Sequence, residues 1–148
     1  MIKEILLAAA GAMGYAMLFG MKGKDISLIG INSAFAWYLY LQIAEGTDNT
    51  IFAMFFVTVL VGLVSGILTI FIKCPLTVFA TPILMPFVPG STLYYVMYDI
   101  VNKREQLWID VRWLFQQVGA ITFGILAAEI VLTWIRLCYS RFPKRRWR

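Results

Sequence analysis

Residues 82–92 read Pro82-Ile83-Leu84-Met85-Pro86-Phe87-Val88-Pro89-Gly90-Ser91-Thr92, and the fold turns on whether this stretch can be one continuous helix. Each interior proline removes an amide donor and presses its ring on the preceding turn. The residue before each proline is driven toward extended backbone. Pro89-Gly90 is in addition a turn signal. Four of the chain's five prolines, Pro75, Pro82, Pro86 and Pro89, fall in this neighbourhood. The stretch therefore predicts two helical arms, Leu76–Met85 and Ser91–Val101, separated by a break at Pro86–Gly90. The arms have ten and eleven residues, about 15 and 16 Å at 1.5 Å per residue. Together they match the roughly 30 Å hydrocarbon core of a bilayer, which puts the break near the midplane of a spanning segment.

The rest of the chain supports a membrane setting. It has 148 residues, of which 61% are hydrophobic and 14% charged, whereas soluble domains run nearer half apolar and a quarter charged. A chain this short cannot bury such an excess in its own core. Five apolar segments are expected to span, over residues 5–21, 26–44, 51–72, 76–101 and 114–138. The links are Lys22–Asp25, Glu45–Asn49, Lys73–Pro75 and Asn102–Trp113. The first segment, with Lys3 ahead of it, has the look of a signal sequence, but it is read as a retained helix. The fold class is thus an all-α membrane protein: one transmembrane domain over residues 1–148, a bundle of about five helices with the fourth broken by prolines. No segment alternates as strands of a barrel do.

Charge placement predicts the orientation. With the C-terminus in the cytoplasm, Lys22, Lys24, Lys73, Arg136 and the tail Arg141, Lys144, Arg145, Arg146 and Arg148 lie inside. Lys3, Lys103, Arg104 and Arg112 then lie outside, an imbalance in the direction that positive charge favours. The basic tail is expected to rest on anionic lipid. Trp37, Tyr38, Tyr40, Trp108, Trp113, Trp134 and Tyr139 are placed near span ends, where aromatic rings favour the headgroup level.

The residues that carry chemistry are few. A helix restarting near Ser91-Thr92 presents unpaired amides and the positive end of its dipole, and both residues are good N-caps. A solute carboxylate can dock at such an end within the membrane. Pro86, Pro89, Gly90, Ser91 and Thr92 are accordingly the candidate substrate-binding residues, with Asn32 of the second segment as an additional contact. Asn32 and its neighbour Ser33 are also expected to hydrogen-bond between helices. Glu129 lies well inside the last segment. A carboxyl in hydrocarbon is disfavoured in its charged form, which makes Glu129 the candidate for proton coupling; a structural bond to Thr133 or to a partner helix is the rival role. Asp99, nearer a span end, is expected to be a solvated anchor. Small residues mark packing faces: Gly62 and Gly66 in the third segment, Gly11 and Gly14 in the first, and Ala120, Gly124 and Ala128 in the fifth.

Several classes are excluded or disfavoured. Histidine is absent, no metal-ligand cluster is present, and Cys74 and Cys138 read as ordinary apolar thiols. There are no paired catalytic carboxylates and no nucleophile elbow, so an enzyme is not expected, and neither is a cofactor or a metal. The basic tail is too short to read as a nucleic-acid interface.

The segment from Lys73 to Tyr95, with its proline spacing ending in Val88-Pro89-Gly90 and followed by a small-residue pair and Tyr94, resembles the threonine/serine exporter family. Gly11-Ala-Met-Gly14-Tyr15-Ala-Met-Leu-Phe19 is similar to that family's first span. The chain resembles the small, C-terminal half of a two-component exporter. The resemblance implies a larger partner subunit, a bacterial inner-membrane location, and export of threonine and serine or a dicarboxylate such as succinate, driven by the proton gradient. The alternative is a structural or assembly subunit that lines no pathway.

Overall fold

In a computed structural model, residues 1–72 and 75–140 are described. Among them there is no strand; six helices follow in the order α1 (Ile2–Leu18), α2 (Lys24–Thr47), α3 (Thr50–Ile72), α4 (Leu76–Leu84), α5 (Gly90–Asn102) and α6 (Leu107–Ser140), with a 3-10 turn at Met85–Phe87 between α4 and α5. Lys73, Cys74, the side chains of Arg136, Cys138 and Tyr139, and the basic tail lie outside the described residues, so the readings placed on them stand as expectations.

Helices α2, α3 and α6 are long and apolar enough to cross a bilayer individually, and the bent α4–α5 pair makes a fourth span if counted as one. With 17 residues, α1 is about 26 Å long, short of the roughly 30 Å core. Five spans are expected from the sequence; among the described residues three helices, or four spans with the bent pair, are long and apolar enough to cross, and α1 is not one of them. The chain is an all-α membrane protein. Many of its large apolar side chains, among them Leu7, Leu18, Phe115, Phe123 and Trp134, point outward, as a lipid-facing surface requires.

Two helix pairs form the bundle, α1 with α2 and α3 with α6, and they meet along α2 and α3. The α3–α6 seam is built from small residues. A Cβ placed on Gly62 would collide with Ala128 Cβ, and one on Gly66 with the Leu132 side chain. A Cβ on Gly124 would lie 2.9 Å from Thr58 Cβ and 3.0 Å from the Phe55 carbonyl oxygen. The two small-residue faces read from the sequence are therefore each other's partners. Gly11 and Gly14 do not play this part, since a Cβ on either would meet open space. On α1 the packing face is Ala8, Ala12 and Ala16, spaced one turn apart. Ser33 Oγ donates to the Ala8 carbonyl at 3.3 Å across α1 and α2, the interhelical bond expected of it.

Turn chemistry sets the boundaries. Asp48 closes α2 in the left-handed region at φ 49°. The Asn49 side chain then accepts from the Ile51 and Phe52 amides at 3.2 and 3.1 Å, opening α3. The link expected over residues 102–113 is shorter. Lys103 ends α5 at φ 50°, and Asp110 N–H already bonds Gln106 at 3.1 Å. No glycine or proline occurs between Asn102 and Gly119, so nothing stops α6 from starting at Leu107, seven residues before the expected position. Charge in a sequence marks the water boundary and does not by itself end a helix.

Candidate functional site

The break is present. Helix α4 passes through buried Pro82 and ends at Leu84. Val88 is extended at φ −62°, ψ 123°, Pro89 turns the chain at ψ 61°, and the helical arms on either side are bent by 58°. Of the prolines, Pro82 is carried inside a helix; the geometry changes at Pro86–Pro89. Phe87, at 1% exposure, fixes the break to the bundle. Its ring lies 5.4 Å from Trp37 and, edge-on, 5.7 Å from Tyr40, contacts worth about 0.5–1.5 kcal/mol each beyond burial. Trp37 and Tyr40 therefore hold the break, in place of the lipid-anchoring role expected of them. Tyr38, Trp108, Trp113 and Trp134 are exposed, in keeping with that role.

One face of the break opens on a groove of about 390 Å³ between α1 and α2, lined by Glu4, Leu7, Ala8, Gly11, Trp37, Met85 and Pro86. This volume suits a small metabolite. Trp37 Nε1–H, in the groove's wall, is buried and has no acceptor among the described residues. Sequence reasoning missed this donor, because an indole near a span end reads as an interfacial anchor until Phe87 is seen against it.

The amide end of α5 is arranged differently from expectation. The N-cap is Pro89, and no side chain caps the helix; Ser91 and Thr92 lie inside the first turn. Gly90 N–H bonds the Val88 carbonyl at 2.7 Å, and the first helical bond is Leu93 N–H to the Pro89 carbonyl at 3.1 Å. The Ser91 and Thr92 amides are left without backbone partners, as the first turn of a helix dictates. Ser91 is exposed, and Thr92 is half-buried, its Oγ1 donating to Gln117 Oε1 of α6 at 2.9 Å. The structure thus brings Pro86 to the α1–α2 groove and turns Thr92 toward α6. Asn32 is half-buried, lies outside the groove lining, and makes no hydrogen bond among the described residues.

Glu129 is not enclosed by its own chain. It is exposed on α6 and borders a narrow groove of about 120 Å³ with Thr77, Ala80 and Thr81 of α4 and Gly62 of α3. No bond to Thr133 or to any other described residue satisfies it. Thr81 Oγ1 donates to its own helix, to the Thr77 carbonyl at 2.6 Å. Asp99, expected to be solvated, is 2% exposed. No cluster able to hold a metal occurs among the described residues.

No curated protein and no solved structure matches this chain. One family model does: that of the threonine/serine exporters (Threonine/Serine exporter, ThrE) matches residues 4–131. With an all-helical membrane bundle, a span interrupted at Val88-Pro89-Gly90, and that match over most of its length, the chain belongs to the threonine/serine exporter family.

Proposed function

We propose that the chain is the small membrane subunit of a proton-coupled exporter for carboxylate-bearing metabolites, threonine and serine or a dicarboxylate such as succinate, and that it works with a larger subunit of the same family in a bacterial inner membrane with its C-terminus in the cytoplasm. The observation that carries this reading is the 58° break beside the α1–α2 groove. Irregular backbone in a span is stable only where protein or a wet cavity satisfies it, and here it adjoins an open groove of metabolite size. The free Ser91 and Thr92 amides and the positive end of α5 favour an anion by about 0.3–1 kcal/mol, up to ~2 where partly buried. The Trp37 indole N–H is a further donor once its ring turns into the groove. The unpartnered carboxyl of Glu129, exposed on α6 beside the groove shared with α3 and α4, is the coupling group, and the larger subunit covers it.

The test is efflux of labelled threonine, serine and succinate from cells holding the larger subunit, with and without this chain. Replacing Pro89-Gly90 by Ala-Ala is expected to abolish efflux while the amount of assembled complex is unchanged. Full efflux from that variant would assign the chain an assembly role only.

A further inference from the structure

The α5–α6 hairpin holds a second acidic group that the transport reading does not use. Helix α5 packs chiefly against α6, and the two are antiparallel neighbours joined by a short link. Thr92 bonds Gln117 across them. Asp99 is seven residues beyond Thr92, and Asp110 is seven residues before Gln117. Two polar couples therefore share one seam, about 10 Å apart at 1.5 Å per residue.

At the second couple the chemistry is incomplete. Asp99 is 2% exposed, and its Oδ2 is buried without a hydrogen-bond donor among the described residues. Counted from the Thr92–Gln117 bond, the register of the seam sets the Asp110 carboxyl of α6, the helix packed broadly on α5, opposite it. The link contributes Arg104, the cation nearest in effect. Its guanidinium sits over the Tyr98 ring, 5.3 Å from the centroid, and it forms no ion pair with Asp99. Lys103, Glu105 and Arg112 are exposed. A buried carboxylate oxygen cannot accept from another carboxylate. It can accept from a carboxylic acid, and two carboxyls sharing a site retain a proton between them for that reason.

We propose that Asp99 and Asp110 form a proton-binding site, one proton bridging the two carboxyls at the water-side end of the α5–α6 seam. The ligand is a proton taken from bulk water and returned to it, with no metal and no covalent step. The site's use in coupling rests on the export reading; the protonation does not.

The experiment is infrared spectroscopy of the full chain reconstituted in lipid, reading the C=O stretch of protonated carboxyls and its shift in deuterium oxide. In the Glu129→Gln background, which removes the carboxyl expected to lie in hydrocarbon, a protonated-carboxyl band is expected at neutral pH that Asp99→Asn and Asp110→Asn each remove. Retention of the band in either Asn variant overturns the proposal. So does its absence from the unaltered chain, a measurement that needs no variant to fold. Collapse of the band on adding sodium at fixed pH also overturns it, by making a metal cation the ligand. Because no transported solute enters this measurement, loss of the exporter reading leaves its outcome unaffected. The reverse holds too: an exporter without this band keeps its transport role and loses only this site.

Discussion

Gly62→Ala adds one methyl group where none fits. The new Cβ would overlap Ala128 Cβ, far inside the 3.4–4 Å of ordinary contact, and both atoms sit on backbone that cannot rotate away. Helices α3 and α6 must separate or shear. In lipid there is no hydrophobic drive to hold two helices together, so close packing supplies most of the association. Overpacking of this kind costs about 1–3 kcal/mol. Helix propensity opposes the loss, since alanine is preferred over glycine by about 1 kcal/mol in a helix interior, so the expected net destabilisation is up to about 2 kcal/mol. The perturbation has an internal remedy: Ala128→Gly removes the opposing methyl. Combined with Gly62→Ala it is expected to restore stability, with a coupling energy of about 1–3 kcal/mol, in the range for residues in direct contact. Gly14→Ala is the control, because a Cβ there meets nothing within 4 Å. The assay is equilibrium unfolding of the purified chain in mixed micelles by added dodecyl sulfate, followed by helicity. If Gly62→Ala proves as stable as Gly14→Ala, which carries the same propensity gain without the clash, or if Ala128→Gly fails to rescue it, the α3–α6 seam is not packed as described.

Other outcomes follow from single contacts. Thr92→Val removes the donor to Gln117, which is 7% exposed; leaving that amide oxygen unpaired is expected to lower stability by about 1–3 kcal/mol, read in the same micelle titration, and an unchanged midpoint would reject the bond. Glu129→Gln keeps shape and removes the titratable proton, so export is expected to lose its pH dependence while assembly with the larger subunit persists. A pH profile of export identical to that of the unaltered chain would exclude Glu129 as the coupling group.

The interrupted span was legible because proline acts locally: Pro86, Pro89 and Gly90 disrupt a helix in any surroundings, and the break appears there. Pro82 shows the limit of that logic: it is buried in the last turn of α4, and the helix runs on through it to Leu84 despite the missing amide hydrogen bond. Contacts that depend on distant partners were not legible. Thr92 looked like a helix cap until Gln117, twenty-five residues on, was found to take its hydroxyl. Asp99 looked like a surface anchor because a lone acid at a span end usually is one, and its partner Asp110 lay in a stretch read as a loop. The small-residue motif in α3 announced a close approach but not a partner; α6 supplied it through Ala128 and Leu132. Glu129 falls well inside α6, yet periodicity alone did not reveal that it stays exposed beside the groove formed with α3 and α4.

The two arms of the broken span belong to different neighbours. Helix α4 and the turn after it rest on α1, α2 and α3, whereas α5 leans chiefly on α6. Any rocking of α6 against the first two helices must therefore be taken up at Val88-Pro89, as a universal joint takes up the angle between two shafts. Met85 and Pro86, which border the metabolite-sized groove immediately before that joint, would then register which way the assembly is tilted, with both shafts keeping their own bearings.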